Sequence, residues 1–276
     1  MSSILTNNSA IVALQTLKSI NNNLAKTQDE ISTGKSIATA KDNAAIWAIS
    51  KVMEGEQTTF KTIQSNLNAA GSVVATGQAG AESVAELLKE VKELVAGATS
   101  DLMDAPARTK TQAEITRKFE QMTSIVNTTQ MNGVNLLSNN TARQFLASAN
   151  AGVAVAADHY ISITGIDLTG TLAPAIALTI TDTATAAASL ALVDTALDAV
   201  LTGAATLGAT AKRISDQSTF VGKLSDSLKV GVGALVDADM EEASARLQAL
   251  QTQQQLGIQS LSIANQAPSS ILSLFR

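Results

Sequence analysis

The chain of 276 residues has no cysteine and one histidine, His159, so a disulfide framework, a thiol nucleophile, a thiolate metal site and clustered imidazole ligands are all excluded. Aromatic residues make up 3% of the sequence, and alanine, leucine, isoleucine and valine must therefore do the packing. Only three prolines occur, Pro106, Pro174 and Pro268, which leaves residues 1–105 and 175–267 free for uninterrupted helix. Residues 144–211 contain no Lys or Arg, and the net charge is −5. That balance argues against nucleic acid, which needs a cationic patch or stripe. The Ala-rich part near 186–201 is interrupted by Asp194 and Asp198, so no membrane insertion is expected. The first twenty residues lack the charged start and compact apolar segment of a cleaved signal peptide, so export would use another route.

What is present is helical periodicity. Ala13, Leu17, Ile20, Leu24, Thr27 and Ile31 recur at steps of four and three, with Gly34 as a helix stop and Lys41-Asp42-Asn43 as a cap for the next helix. A second seam runs Phe60, Ile63, Leu67, Ala70, Val74, Gly77, Ala81, Val84, Leu88, Val91 and Val95. At ~1.5 Å per residue, a helix over 45–97 spans roughly 80 Å. Pro106 marks a turn into a third helix with seam Ile115, Phe119, Met122 and Val126. Gln144-Phe145-Leu146 and His159–Ile163 read as strands of one or two hairpins. Helical spacing resumes from Leu190, pauses at Gly231-Val232-Gly233, and ends in a last rod closed by Pro268. The fold class is mainly α: long antiparallel rods and a terminal coiled coil, with a small hairpin-bearing insert. The expected division is 1–44 with 232–276 as a terminal domain, 45–138 with 185–231 as a rod domain, and 139–184 as a surface insert.

Neither end balances its own folding cost. Ordering residues 4–32 loses more backbone entropy than nine aliphatic side chains on one helix can return. The natural first partner is the C-terminal rod, whose back face carries Gln248, Gln251, Gln253, Gln255 and Gln259. Apolar residues off the seams would be covered by further copies of the chain. The assembly core is assigned to Leu14, Leu17, Ile20, Leu24 and Ile31 near the start, and to Leu247, Leu250, Leu256, Ile258, Leu261, Ile263 and Leu272 near the end.

Several stretches match a known family. At the front these are Ile31-Ser32-Thr33-Gly34-Lys35, Ala40–Ala45, Gln64-Ser65-Asn66-Leu67-Asn68-Ala69, and Thr129–Leu137. At the back they are Lys212-Arg213-Ile214, Val236–Met240, Ser262–Pro268 and Ile271–Arg276. On these residues the chain resembles bacterial flagellin over roughly 1–138 and 190–276. It departs from the family pattern at Ile46, at Ala234-Leu235-Val236, and at Glu241-Glu242-Ala243. The resemblance implies a structural subunit that polymerises with itself into the extracellular flagellar filament, exported by the flagellar type III apparatus without signal cleavage. It also implies an export chaperone, a filament cap and hook-junction proteins as partners, and keeps the hook–filament junction protein as the alternative.

The rod surface that matches the family's Toll-like receptor site is Leu88, Glu90, Leu94 and Glu114. Glu90 stands where receptor-binding members carry arginine, which reverses the local charge. Weak or absent receptor activation follows from that reading. No enzyme, cofactor or metal site is expected. His159 beside Tyr160 lacks a nucleophile–base spacing, and Asp237, Asp239, Glu241 and Glu242 read as a helix N-terminus and not as a cation loop. Gly231-Val232-Gly233 is expected to be a hinge between rods.

Overall fold

The computed structural model describes residues 7–148 and 159–273, with side chains described through 266 in the last helix. The chain is mainly α and forms two compact units. One combines residues 1–55 and 227–276; the other is residues 56–226.

In the first unit α1 (Asn8–Thr33) begins on the Asn7 side chain, which accepts a hydrogen bond from the Ala10 amide, and ends at Gly34 with φ of 69°. A left-handed residue there suits glycine, which has no Cβ to clash. The chain then reaches α2 (Ala44–Ala98), where Asn43 Oδ1 accepts from the amides of Ala45 and Ile46. The cap expected at 41–43 is therefore Asn43. α2 continues into the second unit.

There its seam splits into two interleaved lines seven residues apart. Phe60, Leu67, Val74, Ala81, Leu88 and Val95 form one, and Ile63, Ala70, Gly77, Val84, Val91 and Ala98 the other; all are buried. This is the a/d pattern of a coiled coil. Its main partner is α5 (Thr183–Val236), which buries Val193, Val200, Leu207, Ile214 and Val221 at the same spacing. The two run antiparallel, as the cross-links show: Lys92 Nζ to Asp194 at 2.7 Å near one end, and Ser218 Oγ to Asn68 Oδ1 at 2.9 Å nearer the other.

A third layer covers this pair. α3 (Ala105–Thr128) starts at Asp104, has Pro106 in its first turn, and buries Ile115, Phe119, Met122 and Val126 as its spacing predicts. Beyond α3, β1 (Ala142–Leu146) and β2 (Tyr160–Thr164) pair antiparallel, Ala142 opposite Thr164 and Leu146 opposite Tyr160. Ile161 and Ile163 of β2 face the core. Gln217 of α5 holds the hairpin by donating from Nε2 to the Ala147 carbonyl at 2.8 Å. The link from α3 to β1 lies in a notch on α2: a Cβ at Gly80 would stand 2.7 Å from Leu137 and Thr129 side-chain atoms, and one at Gly77 3.2 Å from Leu136.

Sequence spacing missed α4 (Leu168–Ile176), a nine-residue helix in the insert that buries Leu168, Leu172 and Ala175 and tolerates Pro174. It is too short to show a full seam, and Gly170 and Pro174 disguise it. The insert is not a separate body; Gln112 of α3 donates to Leu178 O at 3.1 Å and accepts from the Ile180 amide at 3.0 Å.

Two expectations need correction. The break at Gly231-Val232-Gly233 does not occur, because α5 runs through it to Val236. Those glycines admit close neighbours instead: a Cβ at Gly231 would lie 2.9 Å from Met53 Cε, and one at Gly233 2.7 Å from Asp237 Oδ2. Pro268 does not close the last helix, since α6 (Met240–Ser273) continues past it. α5 also contains an 18-residue window of mean hydropathy 1.5 with no more than two charges, long and apolar enough to cross a membrane by length and composition alone. Alanine and valine raise that average, and α5 places Val193, Val200 and Leu207 in the core of the second unit.

The side chain that closes one end of this unit is Arg108, only 6% exposed. Its Nη1 donates to Ala98 O, Nη2 to Ser100 O at 2.8 Å and Nε to Met103 O at 3.3 Å. A planar five-donor cation thus satisfies carbonyls at and beyond the C-terminus of α2, where the helix dipole also favours positive charge. Replacing Arg108 by Met leaves those carbonyls unsatisfied and should destabilise the unit by about 2–4 kcal/mol, with Arg108→Lys losing about half as much. Urea unfolding of the monomeric chain followed by circular dichroism measures this, and an unchanged midpoint in Arg108→Met would contradict it.

Candidate assembly surface

α1 and α6 pair antiparallel in the first unit. Asn7 Nδ2 donates to Ala264 O at 2.7 Å, and Gln254 Nε2 donates to Asn21 Oδ1 at 2.7 Å. Between these links the helices approach closely because Gly257 has no side chain; a Cβ there would stand 3.2 Å from Leu17 Cδ1. Thr27 and Leu250 are buried in this seam, and Leu17, Ile20, Leu24, Ile31, Leu247 and Leu261 are half-buried.

The Asn7 bond also explains how α6 passes Pro268. Proline has no amide hydrogen, so the carbonyl four residues earlier, Ala264 O, loses its usual helical donor. Asn7 supplies a replacement while its Oδ1 caps α1.

The residues assigned to the assembly core divide into two sets. Leu17, Ile20, Leu24, Ile31, Leu247, Leu250 and Leu261 lie on the stripe where α1 and α6 face each other within one chain. Leu14, Leu256, Ile258 and Ile263 point outward, 54–68% exposed, beside Ile11 and Val12 at 56% and 63%. The Leu272 side chain lies outside the described residues. Among the described residues, most large apolar side chains left exposed belong to this smaller unit, including Ile49, Val52 and Val230. Charge is missing from the outer parts of α1 and α6: of the described residues, 7–17 and 247–266 contain no Asp, Glu, Lys or Arg. An uncharged apolar face with a Gln-rich border can approach its own copy without like-charge repulsion.

A corner of hydrogen bonds holds this pair to the ends of α2 and α5. The Val236 carbonyl accepts from the amides of Ser36 at 2.8 Å and Ile37 at 3.4 Å, and from Ser36 Oγ at 3.2 Å. Ala238 donates to Gly34 O at 3.0 Å. Glu54 on α2 receives Lys51 at 2.6 Å and Lys35 at 3.4 Å; the Lys51 hydrogen bond is the largest influence holding its carboxyl below the usual range. Asp239 begins α6 by accepting from the Glu241 and Glu242 amides at 2.9 and 3.2 Å, so the acidic run is a helix N-terminus as expected. Among the described residues no group of three or more His, Asp or Glu is placed to hold a metal ion.

On the second unit, the four residues matched to the receptor surface do not share one environment. Leu88 is fully buried in the α2 seam and belongs to the core, which corrects its assignment to the surface. Glu90 is exposed and bonded to Lys118 of α3 at 2.5 Å; Leu94 is half-buried, and Glu114 is exposed one turn from Lys118. His159 extends the hairpin through its carbonyl, which accepts from the Ala147 amide at 2.7 Å. Sequence reading placed Gly257 on the stripe of the last rod but missed the roles of Asn7 and Arg108. Only the last left a signal, a cation on the α3 heptad line seven residues before Ile115.

Comparisons with known proteins agree with this geometry. The model of the bacterial flagellin N-terminal helical region matches residues 4–142, and that of the C-terminal helical region matches 190–275. A flagellin of Brucella melitensis is 40% identical with full coverage of both chains. The flagellin FljK of Caulobacter vibrioides is 38% identical over all of this chain and 99% of its own. Among solved structures, Bacillus cereus flagellin aligns with a TM-score of 0.50 at 20% identity, covering 56% of this chain and 88% of that one. A putative flagellar hook-associated protein from Vibrio parahaemolyticus aligns with a TM-score of 0.58 at 14% identity, covering 71% and 100%. At those identities the two structures speak for the fold alone.

The corner also generates a pH dependence. Asp42 Oδ2 accepts from the Thr39 amide at 2.9 Å, Thr39 Oγ1 at 3.1 Å and the Ala38 amide at 3.2 Å. The Thr39 amide is the chief cause that holds its pKa below the ordinary 3.8. A depressed folded-state pKa stabilises the loop above the unfolded value and loses that contribution as pH falls through the folded one. Asp42→Asn should therefore exchange the Ala38 and Thr39 amides faster than wild type near neutrality. The difference should begin to shrink only as pH falls below 3.8 and should vanish once the folded-state carboxyl, whose pKa lies lower still, is protonated; a difference in hydrogen exchange that shows no decrease on acidification below 3.8 would contradict the assignment.

Proposed function

The chain belongs to the bacterial flagellin family, and on that premise we propose how its surfaces serve assembly. It is a structural subunit that polymerises with itself into the extracellular filament of the flagellum. The reading of its surfaces rests on one observation: Leu14, Leu256, Ile258 and Ile263 remain outward after α1 and α6 have paired. Neighbouring copies bury these residues, so the terminal helices form an inner layer of the filament. Leu17, Ile20, Leu24, Ile31, Leu247, Leu250 and Leu261 act earlier, by forming the hairpin of helices that is buried; Leu272 continues that apolar stripe by sequence. The terminal residues 1–44 and 232–276 function as the assembly module, 45–138 and 185–231 as the rod, and 139–184 as the outward insert.

The subunit travels by the flagellar type III route without signal cleavage, and meets an export chaperone, the filament cap and hook-junction proteins. Non-catalytic function accords with the structural character of the family. The hook–filament junction alternative is not better supported, because relatives alignable over the whole chain are named flagellins.

Substituting Leu14→Gln together with Ile258→Gln removes apolar area that is already exposed, so monomer helicity should be unchanged while the critical concentration for polymerisation rises at least about tenfold. Sedimentation of filaments with matched circular dichroism tests this; wild-type assembly by the double variant would reject the assignment. At the rod surface, Glu90 ion-paired to Lys118 disfavours a receptor site built for an arginine. A Toll-like receptor reporter should respond weakly to this chain, and a response at low dose would refute that view.

A further inference from the structure

The second unit is charged unevenly along its length. In the half formed by 82–128 and 167–205, twelve carboxylates stand against six cations. Three of those cations are spent on internal pairs, Lys89 with Glu86, Lys92 with Asp194 and Lys118 with Glu90, and Arg108 is buried on carbonyls. In the half formed by 56–81, 129–148, 159–166 and 206–226 the balance reverses, with five cations against three carboxylates among the described residues. Glu93 and Asp198 in the first half, and Arg213 and Lys223 in the second, are exposed and make no salt bridge among the described residues.

On α5 this polarity runs along the side away from the buried line of Val193, Val200, Leu207, Ile214 and Val221. Asp198 and Lys212 occupy the same heptad position two repeats apart, with Ala205 between them; Lys212 is itself paired with Asp216 at 2.6 Å, which leaves Arg213 and Lys223 as the α5 cations of this half without a salt bridge among the described residues. Two copies laid parallel without an axial offset would set carboxylate against carboxylate. Sliding one by roughly 20–40 Å, the rise from 198 to between 212 and 223, sets carboxylates against cations.

We propose that this charge polarity sets an axial offset between rods of neighbouring copies, the Glu93/Asp198 half of one copy docking on the Arg213/Lys223 half of the next. The partner is a second copy of this chain, and the inference rests on the filament reading above. Surface charge of this kind acts mainly on the rate and register of encounter, and is screened at separations beyond about 8 Å in physiological salt. The terminal helices, uncharged at their tips, supply adhesion without register; the rods supply register.

The test is seeded elongation of the full chain, followed by light scattering and electron microscopy at low and high ionic strength. Glu93→Lys with Asp198→Lys, and separately Arg213→Glu with Lys223→Glu, should each slow elongation about tenfold in low salt and less in high salt. A chain carrying all four changes has both halves reversed and should recover to within about twofold of wild type. The neutral set, Glu93→Gln with Asp198→Asn, should slow elongation in the same direction by less, and it keeps the test decisive where the reversed chains fold poorly. Independent, additive losses in the four-residue chain, or elongation unaffected by either reversal or by the neutral set, overturn the proposal while leaving the filament reading intact. A wild-type chain that never elongates on its seeds overturns both.

Discussion

The apolar seam of α2 cannot be filled by its sequence neighbours alone. Its main partner, α5, joins it by pairings such as Asn68 with Ser218, 150 residues apart. Everything in the second unit follows from making that distant antiparallel match: α3 and the hairpin share the third side, and the link between them must cross α2 where Gly77 and Gly80 leave room. A repeat of seven on both helices fixes the register, because a slip by one residue would turn the valines of α5 off the α2 surface.

What was legible in the chain was periodic. The seams of α1, α2, α3 and α6, the two strands, the Gly34 stop and the Asn43 cap all declare themselves by spacing or by residue type, since burial on a helix repeats every three to four residues. What stayed hidden depends on single contacts between remote segments. Gly231 and Gly233 look like a breaker until Met53 and Asp237 occupy the space a side chain would need. Pro268 looks like an ending until Asn7 satisfies the carbonyl it strands. Leu88 sits in a segment matched to a surface, yet its heptad position already placed it in the core. The outward set of the assembly surface was largely legible: Leu14, Ile258 and Ile263 lie off the seams by spacing, and the pairing of α1 with α6 adds Leu256 to them.

Two kinds of surface therefore coexist in one subunit. The tips of the terminal helices are apolar and uncharged over long stretches, while the rod carries carboxylates and cations in separated blocks. Hydrophobic contact is strong, non-directional and tolerant of sliding. Charge is weak at a solvated surface but discriminates between positions. A chain that must join many identical copies has use for both.

The bond from Asn7 to Ala264 spans 257 positions of the sequence. A ribosome makes the two partners 257 residues apart, so α1 spends that whole interval with nothing to pair against. α1, made well before its partner α6, is thus among the last helices able to settle. Any interruption between α1 and α6 yields a chain whose α1 apolar stripe has no internal cover, and synthesis of α6 is itself the event that permits the first unit to close.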